Sequence, residues 1–201
     1  MSAAVVDYYF TPVSPWTYLG HDRFVALLAA TGSTANVRPV DYGVIFPRSG
    51  GLPLGQRAPQ RQAYRLVELE RISRWLGVAL NPKPAHFPVT GDPASRLIVA
   101  TDGAHGSAAA LDLAGRVGRA IWAEERHAGE AATLQAILDE AGLPPALLSQ
   151  AAEPAVAERF AAYTQQALDA GVFGAPSYVV DGEIFWGQDR LDFLERKLRG
   201  G

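Results

Sequence analysis

The stretch VFGAPSYVVDGEIFWGQD, residues 172–189, says more about the fold than any other part of the chain. Ser177 to Val180 and Glu183 to Trp186 are short β-branched and aromatic runs separated by Asp181-Gly182. That dipeptide predicts a two-residue hairpin of type I′, because both central residues of such a turn need a positive φ. Pro176 precedes the first run and has no N–H to give a ladder, so it belongs at the strand's entry or edge. Asp189 suits the N-cap of a closing helix over Arg190 to Leu198, with Asp192 where a capping-box acid would stand. Upstream, Glu153 to Ala170 spaces Val156, Phe160, Tyr163 and Leu168 along one helical face and ends at Gly171. The C-terminal part therefore reads α-β-β-α.

The N-terminal part mirrors it. Val5 to Phe10 is a buried strand stopped by Thr11-Pro12-Val13-Ser14-Pro15. Trp16, Leu19, Phe24, Leu27 and Leu28 then recur at helical spacing, with Pro15 suited to the first helical position, Ser14 to the N-cap and Gly32 after the end. Ala35 to Tyr42 reads as a second strand, parallel to the first through a right-handed crossover. Phe46 to Gly55 is rich in Gly and Pro and predicts a packed loop bordering a site. From Gln60 the periodicity is helical for about a hundred residues, reading as helices at 60–76, 94–100, 107–128, 130–141 and 144–151 with a Pro-rich loop at 81–93. In the first of these Tyr64, Leu69, Ile72 and Leu76 are expected inside and Arg57, Arg61, Arg65, Glu68 and Arg71 outside. A strand–helix–strand unit and an α-β-β-α unit sharing one four-stranded sheet are the halves of a thioredoxin-like α/β fold. The expected division is 1–45 with 152–201 as the thioredoxin-like domain and 46–151 as an all-helical insertion.

Composition narrows the chemistry. The 201 residues are 48% hydrophobic and 19% charged, with 18 Lys and Arg against 21 Asp and Glu and no basic block, which gives no case for nucleic acid. No apolar run approaches the ~20 residues a membrane span needs, and the N-terminus lacks the pattern of a secretory signal, so the expectation is a cytoplasmic chain. The absence of any Cys removes disulfides, thiolate metal sites and Cys-based catalysis. Four His, at 21, 86, 105 and 127, have no metal-ligand pairing, so no metal is expected.

Three segments meet in such a fold. The first strand hands over to a helix at Ser14, where backbone N–H groups and a positive partial charge favour an anion. A redox protein of this fold would hold a low-pKa Cys there. A serine cannot exchange disulfides, but its hydroxyl can donate to a thiolate that arrives on a ligand. Locally, Ser14 could equally be no more than a cap. Ala175, before Pro176, could offer its main chain to an extended peptide, or Pro176 could be a plain turn proline. Asp189 could accept a ligand's amino group or only cap its helix. Taken together, the three describe a groove for a small thiol-bearing peptide, of which glutathione is the obvious example.

At these residues the chain resembles the 2-hydroxychromene-2-carboxylate isomerases and the related kappa-class glutathione transferases, in the DsbA-like branch of thioredoxin folds. The resemblance spans YYFTPVSPWTYLG (8–20), AYRLVELERISRWLGVALNPKPAHFP (63–88) and VFGAPSYVVDGEIFWGQDRLDFLE (172–195). It implies that Ser14 binds and activates the glutathione sulfur, that Ala175 with Pro176 pairs with the cysteinyl backbone, and that Trp186, Gly187, Gln188 and Asp189 hold the γ-glutamyl end. Many relatives carry Asn or Ser in place of Gln188. By the same resemblance, Gln56, Arg57 and His86 lie on the substrate side, and Arg57 or Arg61 supplies a cation for a substrate carboxylate. The activity implied is glutathione-dependent cis–trans isomerisation of a small aromatic carboxylate in aromatic-compound breakdown, by a protein that pairs as a homodimer. A glutathione transferase and a non-catalytic peptide-binding module remain the alternatives; a Cys-x-x-Cys redox catalyst is excluded by Ser14-Pro15-Trp16-Thr17.

Overall fold

In the computed structural model, which describes residues 4–200, four strands form one mixed sheet in the order β2-β1-β3-β4. Strand β1 (Val5–Phe10) runs parallel to β2 (Thr34–Pro39), pairing Val5 with Thr34 and Phe10 with Pro39. It runs antiparallel to β3 (Ser177–Val180), Tyr8 opposite Tyr178, and β3 pairs antiparallel with β4 (Glu183–Trp186). The β3–β4 turn has φ 52° at Asp181 and 79° at Gly182, the two positive values that Asp-Gly announces.

Alternation along β1 sends side chains to two buried faces. Val6, Tyr8 and Phe10 face helix α1 (Pro15–Thr31), where Tyr8 lies 4.6 Å from Phe24 and stacks on Tyr178 at 5.3 Å between centroids. Tyr9 faces the other side, in a smaller cluster with Val40, Tyr42, Ile45 and Ala167. That side is covered by α2 (Tyr42–Ser49) and α7 (Pro154–Asp169). The first face is covered by α1, α4 (Asp92–Trp122) and α8 (Leu191–Leu198). Between α2 and α4 lies α3 (Pro59–Leu76), and α5 (Ala131–Glu140) and α6 (Ala146–Ala151) pack on α4. A single buried cluster runs from Tyr8 and Phe24 through Leu97, Leu113 and Trp122 to Leu138 and Leu147. No helix among the described residues is long and apolar enough to cross a membrane.

Several expectations need correction. The second strand, expected to reach Tyr42, ends at Pro39, and residues 46–49, read as loop, belong with Tyr42 to helix α2, capped by the Asp41 carboxylate, which accepts from the Gly43 N–H at 2.7 Å. Pro47 near its end removes one donor but leaves the short helix intact. The helices expected at 94–100 and 107–128 are present, joined in α4 across a kink at Gly106, whose φ of 81° and ψ of 172° no other residue adopts easily; only the outer ends differ, at Asp92 and Trp122. Tyr64, expected inside α3, is 58% exposed, whereas Arg65, expected outside, is half-buried. Asp189 lies in a 3-10 turn (Gln188–Arg190) and makes no cap; its carboxylate pairs with Arg190 at 2.6 Å. Asp192 likewise is not part of a capping box but lies 3.6 Å from Arg23.

Candidate functional site

Helix α1 begins at the C-terminal end of β1, so its first turn opens at the sheet's edge. Ser14 caps it: Oγ accepts from the Thr17 N–H at 3.3 Å, while the Ser14 main chain is fixed by N–H to the Thr11 carbonyl at 3.1 Å. An oxygen used as an acceptor keeps its own proton to donate. Among the described residues that proton has no acceptor within hydrogen-bond reach. The first turn of α1 carries no acidic side chain to cancel the positive end of the helix.

Across from Ser14 is the turn into β3, with a cis peptide between Ala175 and Pro176. Two buried hydroxyls hold it. Tyr42 and Ser177 each donate to the Gly174 carbonyl at 2.7 Å. The Pro176 carbonyl accepts from the Gly187 N–H at 2.9 Å, which ties this turn to the one after β4. The N–H and C=O of Ala175 form no bond with another described residue. Gly174 has to be glycine because a Cβ there would meet the Trp186 indole, which is half-exposed and sits edge-on to Phe173 at 4.8 Å.

Ser14, Ala175 and Trp186 open on one cavity of about 740 Å³. Its other wall is built by α2, the segment before α3 and the start of α3: Tyr42 and Phe46 from the first, Arg57 from the second, Arg61 and Arg65 from the third. The three guanidiniums are not in an ion pair with any described carboxylate. Arg57 donates Nε–H to the Leu52 carbonyl at 2.9 Å and lies over the Phe46 ring; Arg65 lies over Phe87 and Trp122, 5.4 and 5.7 Å from their centroids. Burial lowers the pKa of Arg65 to about 10, with Arg57 adding repulsion, and burial followed by the charge of Arg61 lowers that of Arg57. Both remain cations at neutral pH.

Of the residues singled out from sequence, Ser14, Ala175, Trp186, Arg57 and Arg61 line the cavity, and Pro176, next to Ala175, is outside the lining. Gln188 is buried against α1 and does not reach the cavity: the Arg23 guanidinium donates to its backbone carbonyl at 3.1 Å and to Oε1 at 3.2 Å. Gly187, with φ 106°, turns the chain between Trp186 and Gln188, and Asp189 is exposed beside Arg190. Gln56 and His86 are exposed and outside the lining; His86 packs on His127 at 5.1 Å. Among the cavity residues given no site role from sequence are Tyr42, Phe46 and Arg65. For Arg65 a signal existed, since it precedes Leu69, Ile72 and Leu76 by four, seven and eleven positions and so shares their face. Among the described residues no three His, Cys, Asp or Glu side chains converge on a metal-sized site.

The model of the DSBA-like thioredoxin domain matches residues 5–199. The 2-hydroxychromene-2-carboxylate isomerase of Sphingobium xenophagum is 30% identical over 96% of this chain and 97% of its own. That of Pseudomonas putida is 26% identical over 96% and 94%. Among solved structures, a 2-hydroxychromene-2-carboxylate isomerase superposes with a TM-score of 0.84 at 24% identity, covering 98% of this chain and 95% of that one. The cytosolic disulfide reductase DsbM of Pseudomonas aeruginosa, solved with GSH, superposes with a TM-score of 0.70 at 17% identity, covering 97% and 99%. The chain belongs to the DSBA-like thioredoxin family and, within it, to the family of the 2-hydroxychromene-2-carboxylate isomerases, which makes it an enzyme of the isomerase class.

Proposed function

We propose that the chain is a glutathione-dependent cis–trans isomerase acting on aromatic keto acids of the 2-hydroxychromene-2-carboxylate type. One observation carries this reading: a single cavity joins a thiol-receptive edge, Ser14 and Ala175, to an unpaired cationic wall, Arg57, Arg61 and Arg65. The residues present suit glutathione. Ser14 has a hydroxyl proton to give, Ala175 has an unused main-chain donor and acceptor, and α1 directs a positive end at the same place. The names of the isomerases and of the GSH-bound reductase agree with this chemistry.

When bound, glutathione would supply a nucleophilic thiol for reversible addition to a conjugated carbon of the substrate, the chemistry that lets a double bond rotate. The protein's residues do the rest. The Ser14 hydroxyl donates to the sulfur and, with the α1 N–H groups, favours its ionised form. The Ala175 main chain aligns the peptide beside it. The arginine wall holds the substrate carboxylate, and the Phe46 and Phe87 faces border the ring, fixing the reacting carbon against the sulfur.

Calorimetric titration tests the thiol side: glutathione binds the wild type, and failure to bind at millimolar concentration overturns the proposal. Ultraviolet monitoring of 2-hydroxychromene-2-carboxylate tests the reaction. Isomerisation requires catalytic glutathione and consumes none; consumption of glutathione with a product heavier by one glutathione identifies a transferase instead.

A further inference from the structure

The arginine wall has more charge than one carboxylate can answer. Arg57 and Arg65 are both withdrawn from solvent far enough for burial to disfavour their charged forms, and each also feels a neighbouring guanidinium. Arg61, four residues before Arg65 on the same helix, is exposed and solvated at the rim. The fold answers buried cations elsewhere: Arg38, also partly buried, meets Asp7 at 3.0 Å and the Tyr9 hydroxyl at 2.7 Å. Arg57 and Arg65 have only a carbonyl and ring faces. Among the described residues the one acidic side chain on the cavity, Asp41, is engaged in capping α2. A single monoanion, even one shared between the two, leaves this partly buried wall with an uncompensated positive charge, which is the costlier arrangement.

We propose that Arg57 and Arg65 form a two-point anion subsite, so that the aromatic ligand of this cavity carries two anionic groups on one planar skeleton, with Arg65 the specificity-determining residue of the pair. Arg65 suits that role because its guanidinium lies over Phe87 and Trp122 on the cavity lining, where two rings restrain a planar group of five donors that carries no hydrogen bond to another described residue. The second anionic group is a carboxylate or an ionised phenol, and the ring between the two groups lies along the Phe46–Phe87 side. The inference rests on the substrate side of the proposed function, but it concerns charge count and not turnover.

Its test therefore omits both glutathione and reaction. Isophthalate, benzoate and benzamide are titrated against the full chain at low and high salt, followed by calorimetry and tryptophan fluorescence. Isophthalate is expected to bind at least about 10-fold more tightly than benzoate, benzamide not at all, and the preference to shrink with salt. In Arg65→Gln the two acids are expected to bind within about 3-fold of each other, while Arg65→Lys keeps part of the preference and Arg71→Gln, on the solvent face beside Glu68, keeps all of it. Equal binding of the two acids by the wild type, or a preference undiminished in Arg65→Gln, overturns the proposal. Should Arg65→Gln not fold, Arg57→Gln, nearer the surface, makes the same comparison. A missing dianion preference alongside intact glutathione-dependent isomerisation refutes this inference alone; a clear preference with no glutathione binding refutes the isomerase proposal alone.

Discussion

Replacing Ser14 separates two roles that one hydroxyl carries. As a cap, Oγ accepts from the Thr17 N–H at 3.3 Å, longer than a typical N–H···O bond, so Ser14→Ala should cost toward the low end of the capping range, about 0.5–1 kcal/mol. For a chain of this size that lowers Tm by roughly 1–4 °C. As a thiol partner, the same hydroxyl donates to a charged sulfur, a bond worth about 1.5–3 kcal/mol. Its loss raises the bound thiol pKa by roughly one to two units and the rate at neutral pH falls about 10- to 150-fold. Ser14→Asp divides the two. Aspartate is an equally good cap, and the first turn of α1 has no other acid, so Tm should hold or rise. Its negative charge beside the sulfur raises the thiol pKa and should suppress turnover at least as far as Ala does. The assays are differential scanning calorimetry and the pH dependence of thiolate absorbance of bound glutathione. A Ser14→Asp protein as unstable as Ser14→Ala refutes the cap, and an unshifted thiolate titration in Ser14→Ala removes Ser14 from sulfur activation.

Other perturbations follow from the same geometry. Tyr42→Phe deletes one of the two donors to the Gly174 carbonyl and should cost about 1–1.5 kcal/mol, with a raised KM for glutathione; unchanged stability and KM would mean that Ser177 suffices alone. Gly20→Ala puts a Cβ 2.8 Å from Gln188 Cβ and 3.3 Å from its Cα, so α1 and the turn after β4 must separate at a cost of about 1–3 kcal/mol in urea melts. Gly55→Ala meets nothing within 4 Å and serves as the control. Buried His21 donates from Nε2 to the Leu111 carbonyl at 2.9 Å, so the Tyr8 hydroxyl at 3.4 Å faces an unprotonated Nδ1. Burial lowers its pKa below the usual 6.5, and the unfolded chain therefore binds the proton first. Stability is whole above about pH 6.5 and declines as pH falls below it. Denaturant midpoints at descending pH should show a slope that His21→Gln lacks; equal slopes would refute this.

The hairpin and the β1–α1 junction were legible because local chemistry and tertiary role coincide there: Asp181-Gly182 needs its positive φ values in any context, and Ser14-Pro15 starts a helix wherever it stands. Helix α2 was hidden for the opposite reason. Gly43, Pro47 and Gly50 speak locally for a loop, and only burial of Tyr42 and Ile45 under the sheet makes the helix worthwhile. In α3 the helical phase is readable in the sequence, whereas residue character alone draws Tyr64 inward and Arg65 outward. The reverse holds because the Arg65 guanidinium packs over Phe87 and Trp122, so a charged side chain takes the inward place. Gln188 fits the glutathione pattern in sequence, yet its place against Arg23 depends on how closely α1 approaches at Gly20, which no local pattern encodes.

The shared carbonyl of Gly174 bears on how this enzyme can be altered. Tyr42 belongs to the wall that receives the aromatic ligand, Ser177 to the sheet, and the oxygen between them sets the turn that presents Ala175. Redesigning α2 for a different ring system therefore perturbs the peptide edge as well, and substitutions at Tyr42 and Ala175 should be epistatic, departing from additivity where more distant pairs do not. Laboratory evolution toward new substrates would run more freely through Phe87 or Arg61, which have no link to that oxygen.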